Sequence, residues 1–432
     1  MKQISVILIG AGGRGRTYCG KMKNMPEQYK IVAVAEPMKM KRLQCMQEYG
    51  IPEEMCFSDW REILARPKMA DLAVIATVDN DHYGPAMKAI ELGYHLLLEK
   101  PVAQTVKECT DIANAAAEKG VSVLVCHVLR YTPFYKKVKD IVASGMIGNV
   151  VSISCTEGIG DIHFSHSYVR GNWYSEKDST PMLLAKCCHD LDIIQWLMDR
   201  PCKKVSSFGS LTYFRPENAP EGAPTVCAGG SCPSAETCPY NSERIYITND
   251  WKFWGQYVFR NSVRTHPNMT DDEYREALKT SHYGRCVFHA DNDVLDQQIV
   301  NMEFAGGATA SLTVNAFNKG GRYIRVYGTK GELYAFASDT AIHVYTFDDQ
   351  REQEISLGLT REDIVGGHGG GDDGIVRDLY DYLTGTYQGC SVADIRISVA
   401  NHLIGFAAEE ARHTDTVVDM DSYFAKNDYE NI

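Results

Sequence analysis

A glycine-rich turn follows directly after the first apolar run of the chain, Ile4 to Ile9. It matches the pattern G-x-G-x-x-G, with the residues Gly10, Ala11, Gly12, Gly13, Arg14 and Gly15. In this pattern the first glycine permits a tight bend, the second lets the backbone approach a pyrophosphate, and the third lets helix and strand pack closely. The turn therefore predicts a dinucleotide-binding α/β domain. A purely structural glycine turn in another α/β protein is the alternative.

The type of dinucleotide depends on Glu36, which follows the second apolar run, 21 residues after Gly15. A carboxylate at this position accepts hydrogen bonds from the ribose hydroxyls and repels a 2′-phosphate. The sequence therefore predicts NAD in preference to NADP. Three basic residues close by weaken that preference: Lys39, Lys41 and Arg42.

With 432 residues, the chain is long enough for two domains. In residues 1–126 apolar runs alternate with helical patterns, which predicts a doubly wound parallel sheet, or Rossmann fold. Its predicted strands are Ile4–Ile9, Ile31–Ala35, Leu72–Ala76, His95–Leu98 and Val121–Val125. Residues 127–432 form the second predicted α/β domain, with a large, open, mostly antiparallel sheet. Its proline-rich residues 213–285 are predicted to be an insertion without a core of its own.

Composition narrows the class of protein. Hydrophobic residues make up 44% of the chain and charged residues 23%, which excludes a disordered or collagen-like protein. A net charge of −12 argues against non-specific binding to nucleic acid or anionic membranes. There is no apolar run of 18 residues, and no signal-peptide pattern precedes the first strand. We therefore expect a cytoplasmic protein with reduced thiols and with neither a nucleic-acid nor a membrane partner.

A lysine follows the fourth apolar run, in the sequence Glu99-Lys100-Pro101. The carboxyl ends of parallel strands line the ligand crevice, so Lys100 is expected to face the cofactor. Pro101 restricts Lys100 to extended conformations. An ammonium group there can polarise an alcohol or carbonyl oxygen, or exchange its proton. Taken alone, the pattern would suit a surface lysine before a loop proline equally well.

Together these motifs resemble the Gfo/Idh/MocA family of NAD(P)-dependent oxidoreductases. In the first domain the resemblance rests on the glycine turn, Ala76-Thr77 with Asn80 and His82, and Glu99-Lys100-Pro101. In the second domain it rests on Arg130-Tyr131-Thr132-Pro133, Gly145-Met146-Ile147-Gly148 and Tyr327-Gly328-Thr329-Lys330-Gly331. It covers nearly the whole chain except about residues 213–285.

The resemblance implies a Rossmann domain followed by a larger open-sheet domain that carries the substrate and often forms an oligomer interface. A cyclic polyol or sugar substrate and a homo-oligomer, either a dimer or a tetramer, are therefore expected. Beyond the glycine turn and Glu36, it implies cofactor contacts at Thr77, Asn80, His82, Glu99 and Lys100.

The predicted helix Met182–Leu197 occupies the position of the family's catalytic helix. Its His189 and Asp192 match the family's histidine and following aspartate, but Ala185 replaces the usual preceding aspartate. The resemblance implies that His189 is catalytic and that Asp192 orients it. Lys186 lies on the same helical face as His189 and would share the site, lowering the pKa of its neighbours. A structural histidine paired with Asp192 is the alternative.

A polar and aromatic loop, residues 163–174, precedes this helix and can rim the same cleft. Sugars require both polar groups for their hydroxyls and flat faces for their C–H surfaces. We expect substrate contacts from Arg130, His166, Arg170, Trp173 and His368. His368 lies in the run Gly366 to Asp373, which lacks the lysine of a Walker loop and would also suit a flexible connector with a helix cap.

Fourteen cysteines are too few for a disulfide scaffold in a chain of this length. Cys227, Cys232 and Cys238 lie within 12 residues of one another in the insertion. Such a cluster predicts a structural zinc ion, with Cys286 as the tentative fourth ligand and His282 or His289 as substitutes. Unpaired thiols are the alternative.

The sequence as a whole predicts an NAD-dependent oxidoreductase acting on a secondary hydroxyl of a sugar, sugar derivative or cyclitol. Lys100 and His189 would handle the hydroxyl proton. An NAD-dependent glycosidase that oxidises the sugar transiently is the alternative, favoured by Ala185, Lys186 and the histidine-rich loops. A non-catalytic sensor of NAD or of a metabolite is the third hypothesis, but a sensor needs neither Lys100 nor His189.

Overall fold

The computed structural model describes residues 2–229, 231–249, 252, 255–360 and 368–429. Two sheets and the helices packed on them organise these residues. Among the described residues, no helix combines the length and the apolar character needed to cross a membrane.

Six parallel strands form the first sheet, in the order β3-β2-β1-β4-β5-β6. They are β1 Ile4–Ile9, β2 Tyr29–Ala35, β3 Cys56–Phe57, β4 Leu72–Ile75, β5 His95–Leu98 and β6 Val123–Val125. The strand order reverses between β1 and β4, which is the switch point where Rossmann folds bind their ligand. The predicted Rossmann fold is confirmed, and only the two-residue strand β3 had no periodic signal in the sequence.

Helices cover both faces of this sheet, which explains why its strands are almost continuously apolar. In chain order they are α1 Gly13–Lys23, α2 Lys39–Tyr49, α3 Trp60–Leu64, α4 Tyr83–Glu91 and α5 Val106–Lys119. Local signals fix the ends of α5: Thr105 and Glu108 form a reciprocal capping box at its start, and Gly120 adopts φ +63° at its end.

Nine strands form the second sheet, in the order β14-β13-β12-β11-β7-β10-β9-β8-β15. They are β7 Val150–Gly158, β8 Cys202–Ser210, β9 Gln297–Phe304, β10 Thr309–Asn315, β11 Gly321–Gly328, β12 Gly331–Phe336, β13 Ala341–Thr346, β14 Arg351–Ser356 and β15 Val418–Asp419. Among these neighbours only β7 and β10 run parallel, so the sheet is mostly antiparallel as predicted.

The helices after residue 126 pack on this sheet, within the insertion or against the first domain. They are α6 Pro133–Ala143, α7 Asp161–Phe164, α8 Met182–Ala185, α9 Cys188–Met198, α10 Gln256–Val263, α11 Asp271–Thr280, α12 Gly371–Thr384, α13 Ile395–Thr414 and α14 Met420–Lys426. Helix α12 packs its Ile375 and Leu379 into the same apolar cluster as Val6 and Leu8 of β1. The predicted domain boundary after residue 126 stays a prediction.

The insertion at 213–285 has more internal structure than its sequence indicates. It contains α10 and α11, and Ile245, Tyr246, Phe259 and Leu278 are buried together in a separate apolar cluster. The expectation of a coreless insertion is therefore wrong. The spacing of four residues between Phe259 and Val263, and between Tyr274 and Leu278, was a helical signal that the proline-rich composition of the preceding residues outweighed.

Candidate active site

The glycine turn fits the pyrophosphate of a dinucleotide. Gly10 has φ +88°, and a Cβ atom there would lie 2.5 Å from the carbonyl oxygen of Ala76, so only glycine suits this bend. At Gly12 and Gly13 a Cβ atom would meet no described atom within 4 Å, so the turn is open on that side. Helix α1 begins at Gly13 without a capping side chain, which leaves its first N–H groups for an anion.

The buried carboxylate of Glu36 supports this turn from the end of β2. Its Oε2 accepts a hydrogen bond from the Ala11 N–H at 2.8 Å, and its Oε1 accepts one from the Met38 N–H at 2.9 Å. The guanidinium of Arg42 donates to the backbone oxygen of Glu36. Glu36 therefore fixes the glycine turn, while its contact with a ribose stays a prediction.

Arg14 connects the glycine turn to the far end of the chain. Its Nε donates to Glu99 Oε1 at 2.9 Å, and its Nη2 donates to Asp372 Oδ1 at 2.6 Å. His368 Nδ1 lies 3.2 Å from Arg14 Nη1 and 3.2 Å from Asp372 Oδ2. Although burial opposes it, hydrogen bonds from His368 and Arg14 hold the pKa of Asp372 well below its usual range. Gly366 and Gly367 of the predicted glycine run lie outside the described residues.

The predicted cofactor residues after β4 differ in their surroundings. Thr77 is half-buried and donates through its hydroxyl to the backbone oxygen of Asp81 at 2.7 Å, while Asn80 is exposed. His82 is buried, and its Nδ1 lies 2.7 Å from the backbone oxygen of Pro101. These contacts make His82 a link between the loop after β4 and the loop after β5. Cofactor contact by the three residues stays a prediction.

Lys100 extends from the end of β5 into the second domain. Its Nζ donates to the backbone oxygen of Ala185 at 2.8 Å and lies 5.9 Å from the centre of the Trp173 ring. Trp173 in turn donates from Nε1 to Asp79 Oδ2 at 2.9 Å, in the loop after β4. Lys100 and Trp173 therefore lie where the two domains face each other, while their predicted contacts with cofactor and substrate stay predictions.

His189 lies in the first turn of α9, close to Lys100. The ring of His189 is buried and packs edge to face on the ring of His127, with 5.8 Å between the ring centres. Burial, then the charges of Lys100 and of neighbouring groups, hold the pKa of His189 well below its usual value. The imidazole is consequently neutral near pH 7 and able to accept a proton.

The structure does not support the predicted role of Asp192 as the partner of His189. Its carboxylate accepts two hydrogen bonds from Arg130, from Nε at 2.6 Å and from Nη2 at 2.7 Å. Asn401 donates a third, at 2.6 Å. Arg130 is itself buried in this pair, so its predicted substrate contact has no support either. A buried carboxylate is stabilised better by a bidentate guanidinium than by a neutral imidazole.

Lys186 does not lie on a continuous helix with His189. Helix α8 ends at Ala185 and α9 begins at Cys188, so the predicted single helix is interrupted at Lys186. The Lys186 Nζ lies 3.5 Å from Glu157 Oε1 on strand β7. It therefore faces a carboxylate that the sequence did not single out.

Two further predicted substrate residues are buried away from the domain interface. His166 stacks on Phe259 and Tyr283, and its Nδ1 lies 2.9 Å from the hydroxyl of Tyr246. Arg170 donates to the backbone oxygens of Arg285 and Tyr240, at 2.7 and 2.8 Å. Both side chains hold the insertion onto the second domain, and their predicted substrate contacts have no support in these interactions.

The predicted zinc site has no support. The side chains of Cys227, Cys232, Cys238 and Cys286 line one small cavity, together with Arg170. Across the part of the chain that the structure describes, no group of three or more His, Cys, Asp or Glu side chains is arranged to hold a metal ion. All four are free cysteines in the structure.

Sequence reasoning missed four charged or titratable side chains at this site: His127, Glu157, Asp190 and Arg322. The position of Glu157 did give a signal. It lies an even number of residues from the buried Ile153 and Cys155 on β7, and so on the same face of the strand. A carboxylate at a core-facing position of a strand requires a charged partner. Arg322 is that partner, at 2.8 Å, and it lies 165 residues away in the sequence.

Proton-transfer groups placed beside a dinucleotide turn are typical of nicotinamide-dependent oxidoreductases. Sequence comparison agrees with this class. Residues 4–127 match the description "Oxidoreductase family, NAD-binding Rossmann fold", and residues 139–419 match "Oxidoreductase family, C-terminal alpha/beta domain". The two matches cover most of the chain, which belongs to the Gfo/Idh/MocA family. The predicted family and the prediction of an NAD-binding oxidoreductase are confirmed.

Individual relatives are distant. "Putative oxidoreductase YteT" of Bacillus subtilis (strain 168) is 25% identical over 400 residues, which are 85% of this chain and 88% of that protein. "Inositol 2-dehydrogenase/D-chiro-inositol 3-dehydrogenase" of Lactiplantibacillus plantarum is 22% identical over 214 residues, 49% of this chain and 57% of that protein. The solved structure "Levoglucosan dehydrogenase, complex with NADH and L-sorbose" has a TM-score of 0.69 at 19% identity, over 97% of this chain and 99% of that chain, and shows the same fold.

Proposed function

We propose that the protein is an NAD-dependent dehydrogenase that oxidises a secondary hydroxyl of a sugar, a sugar derivative or a cyclitol. The observation that carries the proposal is the convergence of Lys100 and His189. Lys100 bonds the backbone oxygen of Ala185 at 2.8 Å, and its charge contributes to the lowered pKa of His189. Relatives that carry the names of inositol and levoglucosan dehydrogenases support the substrate class.

Each group has a separate task in the proposed reaction. Bound NAD supplies the hydride acceptor. The open side of the glycine turn, at Gly12 and Gly13, would hold the pyrophosphate against the N-terminus of α1. Lys100 Nζ would donate a hydrogen bond to the reacting oxygen, and the neutral imidazole of His189 would take its proton. Trp173 would exclude water from the side of Lys100.

The second sheet supports a homo-oligomer. On the face of this sheet away from the helices, Phe208, Tyr327 and Phe336 are exposed. Large exposed apolar side chains on one face are typical of a protein interface. We therefore propose that this face joins copies of the chain.

The proposed reaction predicts a fixed stoichiometry. With a panel of sugars and cyclitols, one equivalent of NADH should form for each equivalent of substrate consumed. Absorbance at the nicotinamide band and chromatography of the sugar measure the two quantities. Cleavage of an aryl glycoside without NADH accumulation, together with uptake of solvent deuterium beside the transiently oxidised carbon, would favour the glycosidase alternative instead.

Glu36 is expected to set the preference for NAD over NADP. Replacing it in the variant Glu36→Gln removes the negative charge but keeps one acceptor for the Ala11 N–H. The ratio of the two dissociation constants should therefore shift toward NADP by roughly tenfold, about 1.4 kcal/mol. Fluorescence titration measures both constants. Glu118→Gln, an exposed position on α5, is the matched control and should leave the ratio unchanged.

An unchanged ratio in Glu36→Gln would show that Glu36 only supports the glycine turn. Equal binding of NAD and NADP by the unaltered protein would remove the proposed ribose contact. Both outcomes are distinct from loss of folding, which a melting curve of the variant would reveal.

A further inference from the structure

Four charged side chains meet beside Lys100 and His189, and we call them the inner charge cluster: Glu157, Lys186, Asp190 and Arg322. Arg322 on β11 joins two of them. Its Nε lies 2.8 Å from Glu157 Oε2 on β7 and 2.8 Å from Asp190 Oδ1 on α9. Lys186 Nζ lies 3.5 Å from the other oxygen of Glu157. The charge of Arg322 also lowers the pKa of His189, so the cluster is within electrostatic range of the proposed proton acceptor.

The two signs of charge are not equally accessible. The side chains of Glu157 and Asp190 are only 2% and 5% exposed. Those of Lys186 and Arg322 are 20% and 18% exposed. Lys186 and Arg322 are thus the more exposed members of the cluster. A guanidinium and an ammonium are the usual partners of a carboxylate.

The count of charged side chains also favours an anionic ligand. The inner charge cluster contains two cations and two carboxylates, and Lys100 adds a cation that donates to the neutral backbone oxygen of Ala185. His163 adds no charge, because burial and then the charge of Lys186 lower its pKa to about 3. Burial raises the pKa of Glu157, and each proton that it takes up makes the cluster more positive. Among these side chains the cations therefore outnumber the carboxylates by one, and Glu99, which precedes Lys100, is paired with Arg14.

We propose that the substrate carries a carboxylate, as a uronic or other sugar acid does, and that Lys186 and Arg322 bind it while Lys100 and His189 act on a hydroxyl. This inference rests on the proposed function and names its substrate class. The hydroxyls of a neutral sugar also accept hydrogen bonds, but an ammonium or guanidinium donor bonds a neutral acceptor more weakly than it bonds a carboxylate. A carboxylate supplies acceptors and neutralises the excess charge.

Matched pairs of ligands test this inference: galacturonate with galactose, and glucuronate with glucose. Calorimetric titration of the NAD-loaded protein should show the acid of at least one pair binding tenfold or more tightly than its neutral partner. Lys186→Met should remove most of that difference while changing the neutral sugar's binding less than threefold. Lys186→Arg keeps the charge and should retain the preference. Lys177→Met, an exposed position nearby in sequence, is the control and should behave like the unaltered protein.

The outcomes separate this inference from the proposed function. If no acid binds more tightly than its neutral partner, or if Lys186→Met weakens both members of a pair equally, the inference is overturned. If neutral sugars are oxidised with NADH formation and acids are not preferred, the proposed function stands alone. If an acid binds selectively and loses its advantage in Lys186→Met, yet no NADH forms from it, the carboxylate site stands and the proposed reaction fails.

Discussion

Lys100→Met should reduce kcat by roughly 10²–10⁴ while leaving the affinity for NAD nearly unchanged. Methionine has a side chain of similar length but lacks the ammonium group that donates to the Ala185 oxygen and lies 5.9 Å from the centre of the Trp173 ring. Without that group, the reacting oxygen loses its charged hydrogen-bond donor. Steady-state turnover on the identified substrate, with NAD affinity from fluorescence titration, gives the two values.

A surface lysine provides the comparison for this variant. Lys107 on α5 is exposed and pairs only with Asp111 in the described ion pairs, so Lys107→Met should retain full activity. Activity of Lys100→Met within about tenfold of the unaltered protein would make Lys100 a structural residue. A parallel rise in the dissociation constant of NAD would instead make Lys100 a residue for cofactor binding.

The dinucleotide turn could be predicted because its determinants are local. Gly10 and Gly15 are required by the close approach of their own backbone to Ala76 and to one another, within a few residues of a strand end. The position of Lys100 could be predicted because the carboxyl ends of parallel strands lie along one edge of the sheet. In both cases the sequence pattern and the three-dimensional constraint coincide.

The errors at the candidate site arise from pairing over long sequence distances. The spacing of three residues between His189 and Asp192 suggested a contact, but Asp192 bonds Arg130, 62 residues earlier, and Asn401, 209 residues later. A carboxylate that is buried selects the strongest available donor, and helical spacing does not reveal which donor the fold supplies. Lys186 likewise pairs with a residue that is distant in sequence, Glu157 on β7.

Loop polarity was a second source of error. His166 and Arg170 looked like groups for binding a sugar, because they lie in a run of polar and aromatic residues. In the structure His166 lies between aromatic rings, and Arg170 donates to two backbone oxygens. Backbone oxygens that a strand or helix does not satisfy require donors, and a long side chain from a neighbouring loop can provide them. Polar composition alone does not distinguish this use from substrate binding.

His189→Asn should reduce turnover at pH 7 by roughly 10²–10⁴ and also change its dependence on pH. The imidazole must be neutral to accept the hydroxyl proton, and burial keeps its pKa well below the ordinary value. The unaltered protein should therefore be fully active near pH 7, and its activity should fall only in acid, as His189 becomes protonated. Asparagine does not titrate, so this acid limb should disappear from the profile of kcat. His413→Asn, at an exposed position on α13, is the matched control and should keep the limb.

The double variant Lys100→Met/His189→Asn tests whether the two residues act together in one step or independently in two. Lys100 and His189 are proposed to act on the same hydroxyl group in one step, so removing both should cost little more than removing the more important one. Independent effects that multiply would place the two residues in separate steps.

An acid limb that persists in the pH profile of His189→Asn would assign the limb to another group. Of the neighbouring titratable groups, His127 packs directly on His189, and burial raises the pKa of Glu157. Glu157→Gln and His127→Asn, each in the His189→Asn background, would then show which of the two groups carries the limb.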